Sequence, residues 1–419
     1  MMRALSPEQV VIVGGGQAGG RCAEALRAAG FAGRVTIVGK EVHLPYERPS
    51  LSKEMLISDE DESIAWVRPE QAYAEERIEL RLGVTATSIN RDRRELHLDD
   101  GSVLSYDALV LATGARARQL TVPGADSVPL HLIRTIEDSR ALRSRLSAGT
   151  RLVIIGAGFI GLEVASAARH RGAEVTVLEA AYRVMARAVP PEISEHHTAL
   201  HRSHGVNISL GTSVVSIARE GDAIVLRGSG GETFVADVVV VGVGIEPNDE
   251  LAREAGLETD RGVVVDAFGM TRDPQVFAAG DVARHYNPLL KQHILLESWQ
   301  NAQNQAIAVA KVIAGGDAPY AEIPWFWSDQ FGVNLQVIGL PSADAKTIVR
   351  GTSGQVPYVL LQTRNGRVLS ACALNAPREL RFARELISSG AVLDEAMLGD
   401  PGVRLADIVR DVKQRKVPA

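Results

Sequence analysis

Apolar positions along the chain fall into short runs, and one arrangement of them occurs twice. From Val10 to Glu41 (VVIVGGGQAGGRCAEALRAAGFAGRVTIVGKE) a β-branched run too short for a helix passes through glycines into an Ala/Leu-rich stretch of helical spacing. A second β-branched run follows. From Arg151 to Ala180 (RLVIIGAGFIGLEVASAARHRGAEVTVLEA) the same order recurs. Each copy predicts a βαβ unit, which requires a parallel sheet covered on both faces. Two copies about 140 residues apart predict two nucleotide-binding folds of ordinary domain size. Three more buried strands are predicted to end in small-residue turns, in YDALVLATGARAR, ADVVVVGVGIEPN and TRDPQVFAAGDVA. From about Ile323 the pattern changes. IPWFWSDQF concentrates aromatics, YVLLQ and VLSACAL read as antiparallel strands, and RELRFARELISSG reads as an amphipathic helix.

Composition narrows the class. The 419 residues suggest two to three domains, and 46% hydrophobic with 23% charged residues is enough to fill several cores. A net charge of −6 argues against a general nucleic-acid binder. The two cysteines, Cys22 and Cys372, lie far apart with no CxxC, so neither a disulfide framework nor a Cys-ligated zinc or iron–sulfur site is expected. The polar lead MMRALSPEQ lacks the features of a signal peptide, and no apolar run reaches the ~18 residues of a membrane span. A cytoplasmic protein is expected. With no heptad and no long apolar edge, it is expected to be a monomer or weak homodimer.

In the first fingerprint, Gly14 permits the turn, Gly16 lets backbone approach a pyrophosphate, and Gly19 lets helix and strand pack closely. The phosphates would sit at the helix N-terminus. The second fingerprint uses Gly156, Gly158 and Gly161, with Glu179 ending the next strand. An acid there accepts from ribose hydroxyls and repels a 2′-phosphate, favouring NADH over NADPH. Arg183 either softens that repulsion or forms a surface ion pair with Glu179. Asp281, after Gly280, is placed to meet a polar ligand group, or else caps a helix. Ser298, between Glu297 and Trp299, is expected to cap the helix from Gln300 to Ala314, whose positive end would favour charge on a reduced ring system. His197, His201 and His204 share a helix face. They read as a solvated His-rich helix rather than a metal site, for which no acid or Cys is at hand.

The ordered set GGGQAG, LPYERPSLSK, LATGAR, GAGFIGLEVA, GVGIEPN, FAAGDVA, ESWQNAQNQA and PWFWSDQ resembles one family over nearly the whole chain. That family is the FAD-dependent, NADH-linked ferredoxin reductases that serve bacterial cytochrome P450 and Rieske-type oxygenases. The resemblance implies an α/β fold with an FAD domain in two segments (1–114 and 247–322), an inserted NAD domain (115–246) and a C-terminal interface domain (323–419). It also implies site roles. Arg48, Pro49 and Lys53 would lie along the FAD, with Lys53 near the flavin ring; the alternative for Lys53 is a solvated surface lysine. Ala18, Ala86, Arg134, Asp281 and Trp299 fall where the family contacts FAD. Gln17, Ala112, Thr113, Gly114, Gly280, Glu297 and Ser298 belong to the same cofactor-binding set, and Phe159, Ile160 and Gly244 complete it on the NAD side. Glu163 falls where the family has an acid close to the nicotinamide. Trp327 would sit near the flavin edge facing the iron–sulfur partner, although an aromatic pair such as Trp325 and Trp327 is otherwise core or interface packing. One position departs from the pattern: Lys40 stands where an acid commonly holds the FAD ribose, and either the neighbouring Glu41 reaches the ribose or Lys40 contributes backbone alone.

The implied activity is hydride transfer from NADH to FAD, then single-electron transfer to a [2Fe–2S] ferredoxin that feeds an oxygenase. Disulfide reductases share the double fingerprint, but no cysteine lies between Glu41 and Met55, where thiol chemistry would need one. Rubredoxin or monodehydroascorbate remain open as acceptors, and so does a flavin-binding signalling protein. Arg350, Arg364, Arg367, Arg378, Arg381 and Arg384 are candidates for a basic docking face.

Overall fold

The computed structural model describes residues 7–59, 64–352 and 355–416. The chain forms two compact units. Unit 1 comprises Met1–Ser50, Ile64–Arg116 and Ile245–Glu322; unit 2 comprises Leu51–Ser63, Ala117–Gly244 and Ile323–Ala419.

Unit 1 is built on a five-stranded parallel sheet in the order Val276–Ala278, Ala108–Leu111, Gln9–Val13, Arg34–Gly39, Ile78–Leu82. Val10, Val11 and Ile12 are all fully buried, as a strand covered on both faces requires. One face is covered by the helices Gln17–Ala28 and Trp299–Ile313, with Cys22, Leu26, Ala306 and Val309 in the shared core. The other face packs against an antiparallel sheet of Ala86–Asn90, Glu95–Leu98 and Val103–Ser105.

Unit 2 contains a four-stranded parallel sheet in the order Asn207–Leu210, Glu174–Glu179, Arg151–Ile155, Val238–Val241. It is flanked by the helices Phe159–His170 and Pro191–Ser203. The C-terminal region is a five-stranded antiparallel sheet, ordered Trp325–Gln330, Val333–Gly339, Arg367–Leu374, Tyr358–Arg364, Lys346–Arg350. One face of it (Leu335, Val337, Leu360, Cys372) shares a core with the parallel-sheet region; the other (Ile338, Leu361, Ala371) is covered by the helices Pro377–Ser389 and Leu405–Lys416. Strict alternation along Trp325–Gln330 therefore sends Phe326, Ser328 and Gln330 one way and Trp325 and Trp327 the other. The two βαβ units, the antiparallel C-terminal strands and the Ser298-capped helix all match the pattern of the sequence. Among the described residues, no helix is long and apolar enough to cross a membrane.

The His-rich helix is different from its expectation. His197 and His201 are fully buried, because the helix Pro191–Ser203 turns that face into the core of unit 2. Burial lowers the pKa of each ring to about 4. Only His204 of the three is exposed, stacked on Phe331.

Candidate functional site

Both fingerprints are built alike, each inside its own unit. In unit 1, Gly14 has φ +124° and its amide donates to Val38 O at 2.7 Å. A Cβ at Gly14 would lie 2.0 Å from Ala112 O, and one at Gly19 would lie 1.9 Å from Gly14 O. In unit 2, Gly156 has φ +105° and donates to Leu178 O at 2.7 Å. Cβ atoms there would lie 2.5 Å from Gly242 O at Gly156, and 2.1 Å from Gly156 O at Gly161. In both cradles the close approach of neighbouring backbone forces glycine. Gly16 and Gly158 cap their helices with no side-chain hydrogen bond, which leaves first-turn N–H groups for an anion.

Around the first cradle, Gly280 brings two helix starts together. A Cβ on it would lie 2.9 Å from Ala18 Cβ and 3.7 Å from Ala302. The Gly280 amide donates to Gln305 Oε1 at 2.9 Å, and Ser298 Oγ caps the second helix by accepting from Asn301 N at 3.3 Å. Asp281 caps no helix, since the turn it begins leads into the strand Ala283–Asn287. Thr113 Oγ1 donates to Asn248 O at 2.7 Å while Gly114 O accepts from Asn248 N at 2.9 Å, locking the Ala112-Thr113-Gly114 turn. Arg48 donates to Glu41 Oε1 at 2.8 Å and to the Tyr46 hydroxyl at 2.9 Å. Burial works against the Arg48 charge, but Tyr46, Glu41 and Asp281 outweigh it and hold its pKa above the ordinary value. Lys40 is exposed, whereas both Glu41 oxygens are engaged, Oε2 by the Tyr46 hydroxyl at 2.6 Å. Ala86 begins an antiparallel strand, and Glu297 is exposed just ahead of Ser298.

FAD fits unit 1. Its glycine cradle leaves no room for side chains, and among the described residues Gln17 Oε1, Ser50 Oγ and Asn301 Oδ1 are buried with no hydrogen-bond partner. Buried polar atoms ordinarily have partners, so such a set suits a large polar ligand.

In the second cradle Glu179 Oε2 accepts from Ala157 N at 2.7 Å and Oε1 from Ala181 N at 2.8 Å. Ile160 is 43% exposed at the start of its helix, and Phe159 packs edge-on against Phe326 at 4.8 Å. Gly244 has φ +108° in the turn that follows Val238–Val241, with Arg187 and Arg118 nearby. Arg183 does not form the alternative ion pair with Glu179. Its guanidinium donates to Val189 O (2.7 Å), Ala186 O (2.5 Å) and Ser194 Oγ (2.8 Å), so it staples its own loop. Arg134 precedes the helix Ile136–Arg143, and its amide donates to Asp138 Oδ2 at 3.0 Å.

The most concentrated charge in the core of unit 2 is at Glu163, which is 3% exposed. Lys53 Nζ lies 2.9 Å from its Oε2, and Ser52 Oγ donates to the same oxygen at 2.5 Å. Ser328 Oγ donates to Oε1 at 2.6 Å. Lys53 is thus largely buried and ion-paired, not a solvated surface lysine. Ser52 lies in LPYERPSLSK and Ser328 and Gln330 in PWFWSDQ, but none of the three was expected as a site residue; only the alternation of PWFWSDQ hints that Ser328 and Gln330 share the face opposite the tryptophans. Trp327 stacks on Trp325 at 5.2 Å, and Trp325 Nε1 donates to Gln336 Oε1 at 3.2 Å. Arg350, a docking candidate, is committed to its own surroundings: its guanidinium donates to the carbonyls of Leu398 (2.5 Å), Asp400 (3.0 Å) and Val403 (2.5 Å).

Residues 8–306 match the pyridine nucleotide-disulphide oxidoreductase model and residues 325–409 match the reductase C-terminal model. The chain belongs to the pyridine nucleotide-disulphide oxidoreductase family. It is 45% identical to the ferredoxin--NAD(+) reductase component of the anthranilate 1,2-dioxygenase system of Burkholderia cepacia, over 96% of this chain and 99% of that one. It is 37% identical to putidaredoxin reductase of Pseudomonas putida, over 97% and 98%. Among solved structures, a ferredoxin reductase from Rhodopseudomonas palustris matches with TM-score 0.92 and 39% identity, over 96% of this chain and all (100%) of that one. The reductase in the covalent putidaredoxin reductase–putidaredoxin complex matches with TM-score 0.93 and 37% identity, over 97% and 99%. This oxidoreductase uses FAD and NAD(H). The thiol chemistry in the family's name is not available to it. Burial raises the Cys22 pKa to about 12 and pushes that of Cys372 up as well, and neither side chain reaches the surface.

Proposed function

We propose that this enzyme carries electrons from NADH through FAD to a [2Fe–2S] ferredoxin that feeds an oxygenase of the Rieske or P450 type, in the cytoplasm. The observation that carries the reading is the pair of glycine cradles in a chain whose two thiols are both buried. Such a chain gathers two dinucleotides but has no disulfide route for the electrons. The relatives named above, a reductase component of a dioxygenase system and a putidaredoxin reductase, support the acceptor. Bound FAD supplies the conversion between a two-electron hydride and single electrons.

The protein's part is binding and orientation. First-turn N–H groups after Gly16 would bind the FAD pyrophosphate, flanked by Gln17, Ala18 and the Arg48–Glu41 pair. Those after Gly158 would bind that of NADH, and Glu179 would accept from its ribose. Lys53, held by Glu163, would place its positive charge by the flavin ring, and Pro49 would support the ring's approach. Trp327 would face the iron–sulfur partner, with Arg364, Arg367, Arg378, Arg381 and Arg384 as candidates for the basic docking face. The test is NADH-driven cytochrome c reduction with candidate [2Fe–2S] ferredoxins. Reduction should depend on one of them and weaken as salt screens the docking charges. Fast ferricyanide reduction with no response to any ferredoxin would refute the acceptor.

A further inference from the structure

A line of buried polar side chains leads from Glu163 away from Lys53 into the core of unit 2. Gln330 Nε2 donates to Ser328 Oγ at 2.9 Å, and Gln330 Oε1 lies 2.8 Å from His201 Nε2. Ser328, Gln330 and His201 are each no more than 1% exposed. The hydrogens can be placed from the acceptors. A carboxylate can only accept, so the Ser328 hydroxyl hydrogen goes to Glu163. Its oxygen then accepts from the Gln330 amide nitrogen, which leaves the Gln330 carbonyl oxygen to accept from His201. His201 therefore carries its hydrogen on Nε2. Its Nδ1 has no partner among the described residues, a tolerable state for a bare imine nitrogen in a neutral ring. Every donor points toward Glu163.

We infer that Ser328, Gln330 and His201 are positioning residues for the Glu163–Lys53 pair, so that the C-terminal sheet completes the hydride-transfer site as well as presenting the docking face. This rests on the reading of Lys53 and Glu163 given above. Two of the three come from the strand Trp325–Gln330, and the third from the helix Pro191–Ser203. Glu163 Oε2 is held by Ser52 and Lys53, whereas the hydrogen bond to Oε1 comes from Ser328. Without Ser328 the carboxylate could rotate, and the lysine it anchors would lose its fixed place. The strength of a charge-assisted hydrogen bond makes that loss matter.

The test is stopped-flow reduction of the FAD-loaded enzyme by NADH, with the limiting rate and the NADH dissociation constant read separately. Ser328→Ala should lower the limiting rate about tenfold while leaving NADH affinity and FAD content near the parent values. Ser328→Thr, which keeps the hydroxyl, should restore most of it. In a Glu163→Gln background, Ser328→Ala should add little, because it acts through the carboxylate. Gln330→Leu should produce a smaller fall in the same parameter. An unchanged limiting rate in Ser328→Ala, or an effect that adds fully to Glu163→Gln, overturns the inference while leaving the function intact. If Lys53→Met and Glu163→Gln themselves leave the rate unchanged, the assignment of that pair falls, and the inference with it.

Discussion

Acidification should loosen unit 2 through its buried histidines. His197 and His201 have native pKa values of about 4 because burial penalises the imidazolium, whereas the ordinary value is 6.5. The unfolded chain therefore takes up protons below pH 6.5 that the native chain refuses. The stabilisation is complete above that value and declines as pH falls toward 4. Each pH unit in that window is worth about 1.4 kcal/mol per ring, so moving from pH 7.5 to 5 costs about 2 kcal/mol for each histidine. The paired carboxylates oppose nothing here. Asp237, in the same unit, has its pKa held below the ordinary value by hydrogen bonds from Arg151, so it stays ionised. His197 isolates the effect, because its Nδ1 meets only Ile193 O one helical turn back, at 3.1 Å, and it takes no part in the chain to Glu163. Urea unfolding of the parent and His197→Leu, followed by far-UV circular dichroism at both pH values, gives the comparison. The variant should gain about 2 kcal/mol relative to the parent on going from pH 7.5 to 5. A difference that does not change with pH would refute the reasoning.

Four further outcomes are expected. Gly161→Ala places a methyl 2.1 Å from Gly156 O, so the KM for NADH should rise about tenfold or more while FAD content is kept; loss of FAD instead would contradict the division of the cradles. Glu179→Ala should lower the preference for NADH over NADPH about tenfold in kcat/KM, and an unchanged ratio would place discrimination elsewhere. Arg350→Met leaves three carbonyls without their donor and should destabilise the C-terminal region by about 2–4 kcal/mol in urea, yet leave the salt dependence of ferredoxin reduction as it was. Cys22→Ala combined with Cys372→Ala should keep ferricyanide turnover within about twofold, and a collapse of turnover in a folded, FAD-loaded protein would reinstate thiol chemistry.

The cradles were legible in the sequence because their constraint is local. A residue such as Gly14 must adopt positive φ and admit the backbone of a neighbouring strand, so only glycine survives there, at a spacing fixed by one turn between strand and helix. The Ser298 cap is local for the same reason, and the lack of a cysteine beside Lys53 needed only a reading of residue types. Whether a polar residue is buried, and against what, was settled by tertiary packing. Arg350 reads in the sequence as a docking group and Arg183 as a possible partner of Glu179, but the structure commits both to carbonyls of their own surroundings. The His-rich helix has a face that could meet water or core, and the sheet and strands packed on it chose core. Ser52, Glu163, His201 and Ser328 are spread over more than half the chain, with Ser328 and Glu163 separated by 165 positions. No periodicity spans such a gap, so a hydrogen-bonded line among them exists only once the strands and helices of unit 2 have closed around it.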